Sequence, residues 1–102
     1  MTGPAPDAAD AALGTLRRSL AIANKRGLHA RAAAKFVRTA GQFDAVIRVG
    51  FKGQEVSGLS IMGLMMLAAG IGSTIELSCS GRQASEAMAA LSALVEGKFG
   101  EE

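Results

Sequence analysis

Four short stretches of the chain alternate apolar with small or polar residues, which is the pattern of a strand with one buried face. The alternation is clearest at Ile75, Leu77 and Cys79, which are separated by polar residues. The strands predicted in this way cover residues 18–23, 45–49, 54–57 and 74–80. The chain is expected to turn at 24–27 and to form a hairpin connection at 50–53, where glycine recurs.

Three further stretches repeat apolar residues at the spacing of one helix face. The helices predicted in this way cover residues 30–40, 61–67 and 84–96. The first is expected to end before Gly41, the second to be capped by Ser60 and closed by Gly70 and Gly72. The apolar face of the first helix is predicted to comprise Ala33, Phe36, Val37 and Ala40. That of the third comprises Ala84, Ala87, Met88, Leu91, Leu94 and Val95.

The order of these elements is strand, helix, strand, strand, helix, strand, helix (βαββαβα). Connections of this length favour an antiparallel sheet whose helices all pack on one face. We therefore predict an α+β fold, a two-layer open-faced sandwich of a four-stranded antiparallel sheet and three helices. Residues 1–16 are rich in Ala, Pro, Gly and Asp, so they are expected to form a flexible tail before a single domain at 17–102.

Composition limits the classes of protein to which the chain can belong. Its 102 residues, 49% of them hydrophobic, support one small domain. A single cysteine, Cys79, excludes an intramolecular disulfide and a cysteine-only metal cage. The first residues lack the basic and apolar segments of a secretion signal, and the apolar-rich run at 59–71 is too short to cross a bilayer. We expect a monomeric cytoplasmic protein without metal or cofactor.

The formal net charge of +2 conceals an uneven distribution along the chain. No acidic residue occurs between Asp10 and Asp44, although seven of the 11 basic residues lie there, namely Arg17, Arg18, Lys25, Arg26, Arg31, Lys35 and Arg38. This region therefore has a positive field that suits phosphate, a nucleic acid or an acidic protein partner. Charge alone does not choose among the three.

The only histidine, His29, lies between a glycine turn and the start of the first predicted helix. Backbone N–H groups at a helix N-terminus are unpaired and carry partial positive charge, so they can hold an anion. A neutral imidazole is a competent nucleophile at physiological pH and can accept and pass on a phosphoryl group. The guanidinium of Arg31 and the backbone N–H groups of Ala30 and Arg31 are candidate ligands for the phosphoryl oxygens. The alternative is that His29 is an ordinary polar helix cap.

Residues 17–98 resemble the HPr phosphocarriers of the bacterial phosphotransferase system. Residues 27–33, Gly-Leu-His-Ala-Arg-Ala-Ala, are similar to the active-site signature of that family, Gly-Leu-His-x-Arg-Pro-Ala. The resemblance implies that His29 receives a phosphoryl group from enzyme I, which phosphoenolpyruvate charges, and passes it to an enzyme IIA, with Arg31 as its partner. Ala32 replaces the usual proline, which has no catalytic group, so we expect unaltered phosphoryl chemistry. Residues 24–31 also resemble the nitrogen-type branch.

Residues 59–65, Leu-Ser-Ile-Met-Gly-Leu-Met, resemble the regulatory segment of the same family. Ser60 matches the serine that an HPr kinase phosphorylates in that segment. Phosphate there would place up to two negative charges beside the surface that partners use, which would weaken the docking of an acidic partner. The pattern alone makes Ser60 a plain N-cap.

The apolar residues after Ser60 have two interpretations. Their spacing alone makes Ile61, Met62 and Met65 core residues. The resemblance implies instead that Met62 and Met65 lie exposed near the phosphorylated histidine, in an apolar patch for enzyme I and enzyme IIA. Arg38 is a further candidate for partner binding, because basic neighbours steer acidic partners toward such a patch.

Two other functions stay open from the sequence. One is an HPr-like regulatory module that acts through partner docking alone, although the presence of the histidine disfavours it. The other is a small nucleic-acid-binding domain that uses the basic stretch at 17–38, although the chain has no Trp or Tyr and only four Phe residues for stacking. No paired carboxylates, Cys and His ligand cluster or Ser, His and Asp set indicates an independent hydrolase or metalloenzyme.

Overall fold

The computed structural model describes residues 15–101, so residues 1–14 of the predicted tail lie outside the described part of the chain. Over this range, strands and helices follow the predicted order. The strands are β1 (Leu16–Ala21), β2 (Val46–Phe51), β3 (Gln54–Ser57) and β4 (Thr74–Ser80). The α-helices are α1 (Ala30–Ala40), α2 (Ile61–Met66) and α3 (Ala84–Glu96).

The strands form one antiparallel sheet in the order β1-β4-β2-β3. On the central strand β4, Ile75, Leu77 and Cys79 are fully buried, as their alternation predicts. Their neighbours in register are also buried, since Leu20 of β1 pairs with Ile75 and Val49 of β2 pairs with Leu77. Apolar side chains therefore align on one face, against which the helices pack. The predicted α+β open-faced sandwich is confirmed.

The helices cover that face with the apolar stripes that their spacing predicts. In α1, Ala33, Phe36 and Ala40 are buried and Val37 is partly buried, while Ala32 is an additional buried residue. In α3 the predicted residues are buried except Leu94, which packs against the core from its edge. Each large apolar side chain removed from water stabilises the fold by roughly 1.5–3 kcal/mol. No helix within residues 15–101 is long and apolar enough to span a membrane.

The limits of β1 differ from the prediction at both ends. The strand begins at Leu16, the last residue of the predicted tail, because Leu16 pairs with Cys79 of β4. It ends at Ala21, which pairs with the first residue of β4. Ile22 is nevertheless buried, and its N–H donates to the carbonyl oxygen of Ser73 at 2.8 Å. The apolar face therefore continues one residue past the strand, into a loop.

Two other limits also differ. β2 runs to Phe51, so the hairpin connection contains only Lys52 and Gly53, whose φ angles of 49° and 80° are those of a tight two-residue turn. α2 ends at Met66, and the chain leaves it through Ala68 in the left-handed region (φ 57°). The prediction that glycines close this helix is therefore wrong, because the reversal occurs before they are reached.

A single turn at Lys98–Gly100 follows α3 and has no counterpart among the predicted elements. Lys98 and Phe99 both have left-handed φ angles, 60° and 55°, and Phe99 is fully buried. Lys35 Nζ of α1 donates to the carbonyl oxygen of Phe99 at 2.7 Å. The core and α1 thus hold this turn, which brings Glu101 to the start of α1.

Candidate functional site

His29 immediately precedes α1, in an extended backbone conformation (φ −75°, ψ 177°). Its carbonyl oxygen accepts a hydrogen bond from the N–H of Ala33 at 2.8 Å, which begins the helical pattern. Its ring makes no capping hydrogen bond to the helix. The histidine therefore occupies the position of a cap without acting as a polar cap, and its ring is available for other partners.

The loop before His29 packs against the loop that follows α2. Gly27 adopts a left-handed φ of 65°, and its N–H donates to the carbonyl oxygen of Asn24 at 3.2 Å, in agreement with the predicted turn. Leu28 is buried, and its N–H donates to the carbonyl oxygen of Ala69 at 3.0 Å. The beginning of α1 and the end of α2 are thereby held side by side.

The N-terminus of α1 presents free backbone donors beside the histidine ring. The N–H groups of Ala30 and Arg31 donate to no acceptor within residues 15–101. The first turn of the helix has no acidic residue, so no carboxylate of α1 competes for them. Free N–H groups and the positive end of the helix dipole together suit an anion.

A small cleft of about 210 Å³ opens next to these donors. It is lined by Lys25, Arg26, Arg31 and Glu101. Because three of the four lining residues are cationic, the cleft favours a dianionic group such as phosphoryl. The cleft therefore brings together Arg31, which the sequence analysis selected, and two basic residues that it counted only as part of a charged stretch.

Glu101 is the residue of this site that the sequence analysis missed. Its Oε2 lies 2.5 Å from Nε2 of His29, and Asn24 Nδ2 donates to its Oε1 at 3.1 Å. The hydrogen bond from His29 holds the pKa of Glu101 below its ordinary value of 4.5 despite partial desolvation, and Asn24 and the charges of His29 and Lys35 act in the same direction. Glu101 lies 72 positions after His29 and 77 after Asn24, which is too far for a local pattern to connect it to them.

Ser60 caps α2, as its position in the sequence predicts. Its Oγ accepts a hydrogen bond from the N–H of Gly63 at 2.9 Å. Ser60 as a whole is partly exposed. The N-cap interpretation is therefore confirmed, and the hydroxyl lies at the start of a short helix.

The exposed side of α2 carries an apolar surface that consists of Leu59, Ile61, Met62, Met65, Met66 and Ile71. We call these six residues the α2 surface. Met62 is 68% exposed, so the core interpretation suggested by spacing alone is wrong, whereas Leu64 is the buried residue of this helix. A helix of six residues has room for little more than one inward side chain. Met66, at 75% the most exposed of the six, was not singled out from the sequence.

Arg38 lies exposed in the last turn of α1. It follows Arg31 by seven residues, which is two helical turns or roughly 10 Å along the axis. The two guanidinium groups therefore project from similar faces of α1, but Arg38 does not line the cleft at His29. Its predicted role in partner binding stays separate from phosphoryl chemistry.

The four phenylalanines of the chain pack inward. Phe36 and Phe99 are fully buried, and Phe43 and Phe51 are partly buried against the core. Stacking of nucleic-acid bases requires exposed aromatic faces. The fold therefore gives no support to the nucleic-acid alternative.

Comparison with known proteins agrees with this site. A family model described as the PTS HPr component phosphorylation site matches residues 16–97. A phosphocarrier protein HPr of Cupriavidus necator is 51% identical over 86 residues, which cover 84% of this chain and 97% of that protein. A phosphocarrier protein NPr of Shewanella violacea is 45% identical over 86 residues, which cover 84% and 94%.

Solved structures show the same fold. The crystal structure of HPr-C-His from Thermoanaerobacter tengcongensis superposes with a TM-score of 0.82 at 45% identity, over 85% of this chain and 98% of that chain. The crystal structure of an HPr dimer from the same organism gives a TM-score of 0.68 at 48% identity, over 78% and 92%. The matched family model includes the histidine at the N-terminus of α1 and the whole sheet. This chain belongs to the HPr family, the phosphocarrier proteins of the bacterial phosphotransferase system.

Proposed function

We propose that this chain carries a phosphoryl group on His29, accepts it from enzyme I charged by phosphoenolpyruvate, and passes it to an enzyme IIA. The observation that carries the proposal is the placement of the His29 ring at the N-terminus of α1. Ala30 and Arg31, whose N–H groups are free, follow His29 directly, and Glu101, which contacts the ring, also lines the cationic cleft. Membership of the HPr family supports the same chemistry.

The transfer requires a nucleophile and charge balance rather than a cofactor. A ring nitrogen of His29 attacks phosphorus with its lone pair, the bond from phosphorus to the donor atom breaks, and the donor keeps that electron pair. In the second transfer a nucleophile of the acceptor attacks phosphorus, the N–P bond breaks, and the ring nitrogen of His29 regains its lone pair. The guanidinium and N–H of Arg31, with the N–H of Ala30, stabilise the charge on the equatorial oxygens during both transfers.

We assign the α2 surface to the docking of enzyme I and enzyme IIA. The loop that follows α2 contacts the loop that leads to His29, so a partner that reaches the histidine comes close to this exposed surface. Methionine side chains adapt to different shapes, which suits a surface that serves two partners. Arg38 extends the basic field along α1 and steers acidic partners. Met62→Ser should raise the KM for both partners, whereas Val46→Ser, a similarly exposed change on β2, should not.

Ser60 lies in the same segment as the α2 surface, so we further propose that an HPr kinase/phosphorylase regulates docking there. A phosphate on Ser60 would add up to two negative charges to an apolar contact. The helix itself would tolerate the group, because phosphate is stabilised near a helix N-terminus. The rate of phosphoryl transfer through His29 would then fall, although the imidazole ring itself would be unchanged.

The direct test is intact mass after incubation of the full chain with cognate enzyme I and phosphoenolpyruvate. We expect one acid-labile phosphoryl group, absent from His29→Ala. Arg31→Ala should fold normally but transfer about 10- to 100-fold more slowly, because charge balance is lost. Arg82→Ala is the matched control, since Arg82 is exposed and paired with Asp44. No mass shift with active enzyme I would overturn the carrier function and favour a docking module.

All the residues described for the site come from one chain, so we propose that the monomer is the working form. We also propose that it acts in the cytoplasm. Sedimentation at the concentrations of the transfer assay tests the first point, and the dimer described for the Thermoanaerobacter relative is the contrary outcome. Offering purified enzyme IIA of the sugar type and of the nitrogen type in parallel identifies the acceptor. The type with the higher kcat/KM defines the branch.

A further inference from the structure

The sulfur atoms of residues 15–101 fall into two groups, one buried and one exposed. Cys79 is fully buried and Met88 is 4% exposed. Met62, Met65 and Met66 are 68%, 38% and 75% exposed, and all three lie on α2. We propose that these three thioethers are a site of reversible oxidation by hydrogen peroxide, and that their oxidation weakens partner docking at the α2 surface. The inference rests on the proposed function, because it concerns the surface that is assigned there to docking.

The fold protects the other two sulfur atoms from the oxidant. Oxidation of a cysteine requires an accessible thiolate. Cys79 lies on the buried face of β4, where desolvation raises the pKa of its thiol to about 11, so thiolate and access are both lacking. Met88 packs with the core on the inner side of α3. Peroxide that reaches residues 15–101 therefore finds sulfur only on α2.

The oxidation is a two-electron reaction between the thioether and the peroxide. A lone pair of the methionine sulfur attacks one oxygen of hydrogen peroxide, and the O–O bond breaks. The transferred oxygen loses its proton to the departing hydroxide, which leaves as water, and the sulfur becomes a sulfoxide. A methionine sulfoxide reductase reverses the change by oxidising two thiols to a disulfide, and the sulfoxide oxygen leaves as water.

A sulfoxide would change the character of the α2 surface, because all six of its residues are apolar. A thioether packs as an apolar group, whereas a sulfoxide is polar and costs free energy when it is buried without a hydrogen-bond partner. A partner that covers the surface would desolvate such oxygens among three aliphatic neighbours, Leu59, Ile61 and Ile71. Docking would therefore weaken with each methionine that is oxidised.

The helix that carries these methionines is held in place by other groups. Leu64 is its fully buried residue, and Ser60 Oγ accepts the hydrogen bond from the N–H of Gly63. The N–H of Leu67 donates to the carbonyl oxygen of Gly63 at 3.3 Å and closes the last turn. Oxidation should thus leave the fold and the ring of His29 unchanged. Its effect should appear in docking, not in the phosphoryl chemistry.

The first test maps the oxidised residues in the full native chain. The chain is treated with hydrogen peroxide, the excess is removed with catalase, and trypsin then yields peptide 53–82 with the three α2 methionines and peptide 83–98 with Met88. Fragmentation mass spectrometry should place oxygen on Met62 and Met66 first and on Met65 more slowly. Met88 should react only in urea. Oxidation of Met88 as fast as that of Met62 in the native chain would overturn the proposal.

The second test is phosphoryl transfer from enzyme I to the treated chain. We expect the KM of oxidised wild type to be about 10-fold above that of the untreated chain, with kcat little changed. The control Met88→Leu should show the same rise. A variant with leucine in place of Met62, Met65 and Met66 has no thioether on α2, so peroxide should not alter its own KM. An equal rise in that variant, or no rise in wild type, would overturn the proposal.

The third test is reversal. A methionine sulfoxide reductase with dithiothreitol should return the KM of oxidised wild type to its untreated value, whereas dithiothreitol alone should not. Recovery with dithiothreitol alone would indicate a thiol as the oxidised group and would overturn the proposal. If the untreated chain accepts no phosphoryl group from active enzyme I, the proposed function fails and the control of docking fails with it. Transfer that is insensitive to oxidation overturns this inference alone.

Discussion

Gly27 faces the carbonyl oxygen of Ala69 so closely that a Cβ on Gly27 would lie 2.4 Å from that oxygen. Such a Cβ would also lie 2.8 Å from Cα of Gly70, and both neighbours are backbone atoms that cannot move aside singly. The contact joins the loop before His29 to the loop after α2. The glycine of the signature is thus required by packing between two loops as well as by its left-handed φ of 65°.

Gly27→Ala should therefore destabilise the protein by about 2–4 kcal/mol, the sum of a left-handed strain and an overpacked contact. Urea denaturation followed by circular dichroism measures the loss. Gly53→Ala is the matched control, because Gly53 also has a positive φ (80°) but has nothing within 4 Å of a Cβ. It should cost about 1–2 kcal/mol. Equal losses for the two variants would show that the contact with Ala69 does not constrain the loop.

Ser60→Ala and Ser60→Asp should separate the capping role of this residue from its proposed regulatory role. Alanine removes the acceptor for the N–H of Gly63 and should cost about 1 kcal/mol in the free energy of unfolding, with partner affinity little changed. Aspartate caps well and should preserve stability, but its charge should weaken the binding of enzyme I several-fold. Calorimetric titration checks this, and unchanged affinity of Ser60→Asp would argue against regulation by charge.

Cys79 should be unreactive toward iodoacetamide in the folded protein at pH 8. Desolvation of its fully buried thiol raises the pKa from 9.0 to about 11, so the thiolate is scarce and inaccessible. Labelling followed by mass spectrometry should succeed only in urea. If iodoacetamide labelled the native protein as fast as the unfolded protein, this result would contradict the burial of Cys79.

The same thiol predicts how stability changes with pH. Above pH 9 the unfolded chain loses the proton of Cys79, whereas the native state keeps it until about pH 11. The native state then binds more protons, so this residue should make the free energy of unfolding fall as pH rises from 9 to 11. The difference between wild type and Cys79→Val over that range isolates the effect from other titrating groups. A difference that does not vary with pH would refute it.

Glu101 should titrate in the opposite sense. Its pKa is lowered in the folded state, chiefly by the hydrogen bond with His29, whereas the unfolded chain has the ordinary value of 4.5. Its contribution to stability is therefore fully present above pH 4.5 and is lost as pH falls through the folded-state pKa. Side-chain ¹³C NMR titration reports the pKa directly. His29→Ala should raise it, even though Asn24 and Lys35 still face the carboxylate; an unaltered titration in that variant would exclude the contact.

Most of the fold was predictable because its strands and helices follow from the pattern of apolar and polar residues within each segment. The alternation at β4 and the helical spacing in α1 and α3 gave the limits of those elements correctly. The end of an element was predicted wrongly for two reasons. Pairing with a neighbouring strand extends β1 to Leu16, which pairs with Cys79, and an alanine with a left-handed φ, Ala68, follows the end of α2. Neither feature can be recognised from the residues next to it in the sequence.

The sequence by itself determined the order of strands and helices, the position of His29 before a helix, the nearby basic residues and the capping of α2 by Ser60, because each depends on residues a few positions apart. The tertiary structure decided between the two interpretations of the apolar residues of α2, in favour of the exposure of Met62 and Met65 that the family resemblance implied. It alone decided which acidic residue meets the histidine. His29 and Glu101 are 72 positions apart. They meet because the buried Phe99 and a left-handed turn direct the end of the chain back to α1, an outcome of packing that no local periodicity records.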